Sequence, residues 1–343
     1  MSQGKLVRQY IEKIISGKDL TRSEAYGAML SIMEGKASDA LISALLVALK
    51  IKGESIEEIS GFSEAMLEKA EKVAVSGSNL VDTCGTGGDN LNTFNISTTA
   101  AFIAAGAGVR IAKHGNRSVS SKSGSADVLE ELGININLDV GEVSRCIEET
   151  GIGFIFAPMA HRAMKYVAGV RKELGIRTVF NILGPITNPA MASGRVLGVY
   201  DAELIDIMIG VLKNLGVERA FVINSENGMD EFSTTSKIRA ACLMNGEIEK
   251  IMIDPVDFGF KMSNIRDLEG GDASLNAKIL EEILSGRIKG PMRDSAVFNA
   301  AAAIVAGKVA DRLEDGIELA IGSIDSGRAL VKLNDLIDAS NRK

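Results

Sequence analysis

The chain has 343 residues, 46% hydrophobic and 24% charged, with a formal net charge of −7 at pH 7. That composition excludes disorder, and the negative charge excludes a general nucleic-acid binder, which needs a basic face. No apolar run reaches the roughly 18 residues of a membrane span, the amphipathic start "MSQGKLVRQYIEKI" lacks signal-peptide form, and Cys84, Cys146 and Cys242 lack metal or disulfide spacing, so a cytoplasmic protein without nucleic-acid or membrane partners is expected.

Residues 1–73 read as helix after helix. Leu6, Val7, Tyr10, Ile11, Ile14 and Ile15 recur at helical spacing. Thr21 with Glu24, and Ser55 with Glu58, form capping boxes that mark helix starts. From residue 74 short β-branched or apolar runs alternate with helical stretches, the pattern of a mainly parallel sheet covered by helices. Strands are expected at Leu80 to Asp82, Val109 to Ala112, Gly153 to Phe156, Val196 to Val199 and Ala220 to Ile223. The Asn245-Gly246 pair, set between two strand-like runs, predicts an antiparallel hairpin. From Leu275 the chain is Ala-rich and helical again. The expected fold is α/β: a small all-helical N-terminal domain plus a large α/β domain with a central, mainly parallel sheet.

Two loops stand out along this course. "DTCGTGGDNLNTFNIST", residues 82–98, joins a strand to a helix, where backbone N–H groups and the helix N-terminus can cradle an anion; the same glycines could serve turn geometry alone. "KHGNRSVSSKSGSADVLEELG", residues 113–133, interleaves cations and hydroxyls with glycine, and no Asp or Glu occurs from Asn90 to Ala126. Three established motifs fail here. A dinucleotide GxGxxG has Asn90 in place of its third glycine, a P-loop has Ser121 in place of the glycine before its lysine, and GxSxG is absent. Further on, "GMDEFS" sets Asp230 beside Glu231 after an apolar run, so both could turn toward one cation, or form a solvated acidic turn.

"GTGGD", "NIST", "KHGNRSVSSKSGSADVLEELG" and "VRKELGIRTVFNILGPITNPA" together closely resemble the anthranilate phosphoribosyltransferases, over essentially the whole chain. GTGGD alone would also fit pyrimidine nucleoside phosphorylases, and a non-catalytic nucleic-acid-binding paralogue is a further alternative. The resemblance implies transfer of a phosphoribosyl group from phosphoribosyl pyrophosphate to anthranilate in tryptophan biosynthesis, a Mg2+ cofactor and a homodimer. It implies a helical domain of residues 1–73, completed by about 159–189, and an α/β domain of 74–158 and 190–343. By the same resemblance Gly85, Gly88, Asp89, Thr93, Asn95, Ser97, Thr98, Lys113, His114, Gly115, Asn116, Arg117, Ser118, Val119, Ser120, Ser121 and Ser125 bind phosphoribosyl pyrophosphate. Gly85, Asn116 and Arg171 bind anthranilate, Arg171 gripping its carboxylate, and Ser97, Asp230 and Glu231 bind the metal. His114 and His161 shape the pocket, and no residue is expected as an essential general base. Asn90 and Asn92 stand where relatives commonly have glycine, and Gly169 where many have proline or asparagine.

Overall fold

A computed structural model describes residues 3–77, 79–89, 91–118 and 122–342. The chain opens with α1 (Gln3–Ile15), α2 (Arg22–Met33), α3 (Asp39–Lys52) and α4 (Ile56–Lys69). Both expected capping boxes form. The Thr21 and Ser55 hydroxyls each accept the N–H three residues on at 3.3 Å, while Glu24 and Glu58 accept the cap N–H at 2.8 Å. Glu58 also accepts the Leu20 N–H at 2.9 Å and pairs with Lys52 at 2.8 Å, so one buried carboxylate fixes the turn before α2 as well as the start of α4. Val7, Ile11 and Ile14 point inward as expected. Ile15 does not: at the last position of α1 it is 73% exposed.

The second part alternates β1 (Leu80–Gly85), α5 (Ile96–Gly106), β2 (Arg110–Gly115), α6 (Ser125–Glu131), α7 (Val140–Thr150) and β3 (Ile152–Phe156). Short α8 (Ala157–Ala160), α9 (Lys165–Leu174) and α10 (Phe180–Leu183) follow, then β4 (Gly194–Gly198), α11 (Leu204–Asn214) and β5 (Arg219–Ser225). The expected hairpin is β6 (Ile238–Met244) and β7 (Glu247–Ile253). Its turn residues Asn245 and Gly246 have φ of 53° and 80°, the left-handed pair that a two-residue hairpin requires. The tail supplies α12 (Ala273–Leu284), α13 (Pro291–Ala306), α14 (Leu313–Asp325) and α15 (Arg328–Asn341).

These strands form one seven-stranded sheet in the order β3-β2-β1-β4-β5-β6-β7, parallel from β3 to β5 and antiparallel beyond. From β1 the chain winds outward through β2 and β3, then returns to β4 on the other side of β1, so the winding reverses between β1 and β4. Ligand sites of open α/β sheets lie at the carboxyl ends of strands at such a reversal. One apolar core joins the sheet to the Ala-rich α5 and α13, whose small side chains are buried on nearly every face. A second core runs from α1–α4 through α9, α10 and α11 to one face of β4, β5 and β6, where Leu197, Val222 and Leu243 belong to it.

Candidate active site

The glycine loop leaves the carboxyl end of β1 at the winding reversal, where Gly85 is in register with Gly198 of β4. It is tied down residue by residue. The Thr86 N–H donates to the Gly198 carbonyl at 2.9 Å, and the Thr86 hydroxyl accepts the Tyr200 N–H at 3.0 Å. The Gly87 N–H donates to Asp230 Oδ2 at 2.7 Å. Gly87 and Gly88 have φ of +65° and +81°, a conformation that side chains with a Cβ rarely adopt. Asn92 also sits at positive φ, 52°, and asparagine is the residue that best replaces glycine there. Asn90 lies outside the described residues.

Beyond this turn the loop is pinned to the start of α12. Thr93 forms a bridge with Glu269, and Asn95 accepts from Asn276 Nδ2 at 2.8 Å while donating to the Ser123 carbonyl at 3.3 Å. The chain then enters α5, whose first-turn Ser97 N–H donates to Glu231 Oε1 at 3.2 Å. The buried Thr98 hydroxyl has no hydrogen-bond partner among the described residues.

The cationic segment starts inside β2. Lys113 is 4% exposed, and its Nζ donates to the Thr83 carbonyl at 2.6 Å. Burial lowers its pKa, opposed by the negative charges of Asp82 and Glu231. The His114 N–H donates to Asp82 Oδ1 at 3.1 Å, and Asp82 Oδ2 pairs with buried Arg195 at 2.7 Å. The His114 and His161 rings lie 5.2 Å apart, and burial holds both below the usual histidine range, His161 at about 4. Both are therefore neutral at pH 7.

Past β2, the Asn116 and Arg117 side chains are exposed. Arg117 pairs with Asp127 at 2.9 Å and Glu130 at 2.8 Å, so in this structure its charge serves α6. Asp127 also accepts the Ser118 and Gly124 N–H groups at 3.0 and 2.9 Å, folding the segment back on itself. Gly115 sits where a Cβ would strike the Ser125 hydroxyl and the Phe154 ring, and Ser125 donates to the Asn116 carbonyl at 3.3 Å. Val119, Ser120 and Ser121 lie outside the described residues.

Asp230 and Glu231 follow β5 and turn back toward the loop, not into solvent. Burial pushes the Asp230 carboxyl up to about 7, with Asp89 adding to the rise, and pushes Glu231 up to about 8, with Asp230 adding. A Cβ on Gly85 would run into the Asp230 carboxylate. Two adjacent carboxylates with the nearby Ser97 form a hard-oxygen donor set, and a cation beside them would favour both ionised forms. Among the described residues no group of three or more His, Cys, Asp or Glu side chains is gathered for a metal. Two carboxylates and a hydroxyl are oxygen donors of the kind magnesium takes, since it keeps several waters and shares itself with phosphate oxygens.

Arg171 lies in the last turn of α9, half-buried, with its guanidinium 5.5 Å from the Phe180 ring centroid. No carboxylate among the described residues pairs with it, and burial alone lowers its pKa. An unpaired guanidinium beside an aromatic face suits an aromatic carboxylate. Sequence reading missed Arg177, which donates to the Gly88 carbonyl at 2.6 Å, along with Tyr200, Asn276 and Arg195. Each acts through a partner distant in sequence, and a single chain carries no local signal for that.

Residues 77–330 match the family model described as "Glycosyl transferase family, a/b domain", and residues 8–70 match "Glycosyl transferase family, helical bundle domain". The chain is 52% identical to the anthranilate phosphoribosyltransferase of Acetivibrio thermocellus over 98% of its own length and 97% of the relative's. The crystal structure of the Thermus thermophilus anthranilate phosphoribosyltransferase superposes with a TM-score of 0.93 at 39% identity, covering 97% of this chain and 99% of that one. The Saccharomyces cerevisiae enzyme in complex with PRPP and Mg superposes with a TM-score of 0.89 at 29% identity, covering 97% of each chain.

Proposed function

The chain belongs to the anthranilate phosphoribosyltransferase family, and on that premise we propose where its two substrates and its metal sit. The enzyme transfers the phosphoribosyl group of 5-phosphoribosyl 1-pyrophosphate to the amine of anthranilate in tryptophan biosynthesis, with magnesium as cofactor. The nucleoside phosphorylase and non-catalytic alternatives fall with that assignment.

Gly85, Gly88, Asp89, Thr93, Asn95, Ser97 and Thr98, with Lys113 to Ser121 and Ser125, take phosphoribosyl pyrophosphate. The loop N–H groups, the α5 N-terminus and the Lys113 charge support this reading, since all three favour a polyanion. Arg171 takes the anthranilate carboxylate, with Gly85 and Asn116 completing that site. Asp230, Glu231 and Ser97 hold magnesium, which when bound neutralises charge on the pyrophosphate.

The reaction then needs orientation more than covalent help. Arg171 fixes the carboxylate by two parallel hydrogen bonds and so aims the neighbouring amine at the anomeric carbon. The amine attacks as a neutral nucleophile, the bond from the anomeric carbon to pyrophosphate breaks, and the nitrogen then gives up its extra proton to the departing pyrophosphate or to water, so no side chain is assigned as general base. The loop N–H groups not engaged by Asp230 and Glu231, with the α5 N-terminus, stabilise negative charge as it builds on the leaving group. One observation carries this placement. The Gly87 and Ser97 N–H groups donate to Asp230 and Glu231, so the cradle and the acid pair form one connected unit.

In the α/β-plus-helical layout, residues 159–189 complete the helical domain of residues 1–73; Val167, Phe180 and Leu183 share the apolar core of α1–α4. A cytoplasmic homodimer is proposed, with the three free cysteines fitting a reducing compartment and exposed Ile15 and Ile51 offering apolar surface on the helical part.

The test follows anthranilate fluorescence on adding phosphoribosyl pyrophosphate and magnesium. Joint Asp230→Asn and Glu231→Gln substitution should cost roughly 10³-fold or more in turnover while leaving thermal unfolding of the metal-free protein unimpaired. Near-normal turnover at saturating magnesium would remove both acids from the mechanism.

A further inference from the structure

The segment between α9 and α10 brings Arg177 onto the outside of the glycine turn. Its Nη2 donates to the Gly88 carbonyl at 2.6 Å, and its guanidinium lies 4.1 Å from the centroid of the Tyr200 ring. Tyr200 is itself bonded to the loop through the Thr86 hydroxyl. No carboxylate among the described residues pairs with Arg177, so its charge is directed at a backbone carbonyl and an aromatic face. A Cβ on Gly88 would run into that guanidinium, which gives Gly88 a reason to be glycine beyond its positive φ.

Consecutive left-handed glycines leave a turn with several accessible peptide orientations. A trans peptide points its C=O and N–H in opposite directions. Fixing the Gly88 carbonyl on Arg177 therefore turns the Asp89 N–H away from Arg177, and no acceptor among the described residues takes that N–H. Stacking on Tyr200 fixes the plane of the guanidinium and hence the direction of its N–H donors.

We propose that Arg177 is a positioning residue for the transfer reaction: by holding the Gly88 carbonyl it turns the Asp89 N–H into the pyrophosphate site. This rests on the assignment of the glycine loop to pyrophosphate. Arg177 touches neither substrate in this account and acts through the peptide between Gly88 and Asp89.

Steady-state kinetics with each substrate varied in turn tests it. Arg177→Ala should raise KM for phosphoribosyl pyrophosphate about tenfold or more, the effect of losing a hydrogen bond from a charged donor, with anthranilate KM and the melting temperature little changed. Arg177→Lys should recover part of the loss, since an ammonium can reach the carbonyl but cannot reproduce the stacked planar fork. Gly88→Ala should cost less in the Arg177→Ala background than alone, because the clash is gone and the two residues are coupled. Gly87→Val is the control: a Cβ there meets no protein atom within 4 Å, but a branched side chain at φ +65° is strained, so the change disturbs the cradle itself without touching Arg177. If Gly87→Val raises KM for phosphoribosyl pyrophosphate and Arg177→Ala does not, the positioning role is wrong. If neither does, the assignment of the loop is wrong. A rise in both substrates' KM with a lowered melting temperature for Arg177→Ala would also overturn the proposal, by showing a general structural role.

Discussion

His161 is buried, and its Nε2 donates to the Thr187 carbonyl at 2.9 Å, which places the ring's one proton on Nε2 and partly opposes the effect of burial. Its pKa falls from 6.5 to about 4 because burial penalises the charged ring. The unfolded chain takes up the proton first, so the stability this group contributes is complete above pH 6.5 and is lost as pH falls toward 4. The loss amounts to roughly 3 kcal/mol. His114, shifted the same way, adds to that limb. His161→Gln, which keeps a donor for Thr187, should flatten the acid limb of stability between pH 6.5 and 4 in urea unfolding. An unchanged slope would place the acid sensitivity elsewhere. At this scale the sequence shows which residue types gather near the loops but not their partners. Lys113 reads as a free cation and is anchored on Thr83, while Arg117 reads as an anion ligand and is engaged by Asp127 and Glu130.

Elements were more legible than contacts, and they fail where chemistry interrupts pattern. The expected first strand stops at Asp82, yet β1 continues through Thr83 and Cys84 to Gly85, because those residues pair with Val196 to Gly198 of β4. β2 is expected to end at Ala112 but runs on through Lys113 and His114, whose polar side chains break the apolar alternation although both are buried. The hairpin and both capping boxes were readable because their signals are local. Gly169 shows the reverse case. It sits inside α9, and a Cβ there would meet nothing within 4 Å. Gly169→Ala should therefore stabilise the protein by about 0.5–1 kcal/mol by restricting the unfolded chain and favouring the helix. Thermal unfolding would check this, and destabilisation would mean that the position needs glycine.

At the scale of the whole molecule the two parts are less separate than their textures suggest. The core of α1–α4 is continuous with α11 and one face of β4, β5 and β6. That continuity was not readable, since strand alternation shows that a face is apolar but not which element covers it. Residues 74–343 expressed alone should expose part of this core and aggregate, whereas the full chain should unfold cooperatively. A monomeric, cooperatively folded fragment in size-exclusion chromatography and thermal unfolding would contradict this.

The central proposal is that the two substrates share Gly85 and Asn116 but are gripped by different groups, phosphoribosyl pyrophosphate by the loops at the winding reversal and the anthranilate carboxylate by Arg171 in the last turn of α9. Steady-state kinetics of Arg171→Ala, with each substrate varied at saturating levels of the other, test it most directly. The expected result is a rise in anthranilate KM equivalent to the loss of a charge-assisted pair, ~2–4 kcal/mol, with KM for phosphoribosyl pyrophosphate nearly unchanged. An Arg171→Ala enzyme that kept its anthranilate KM and lost affinity for phosphoribosyl pyrophosphate would contradict the account.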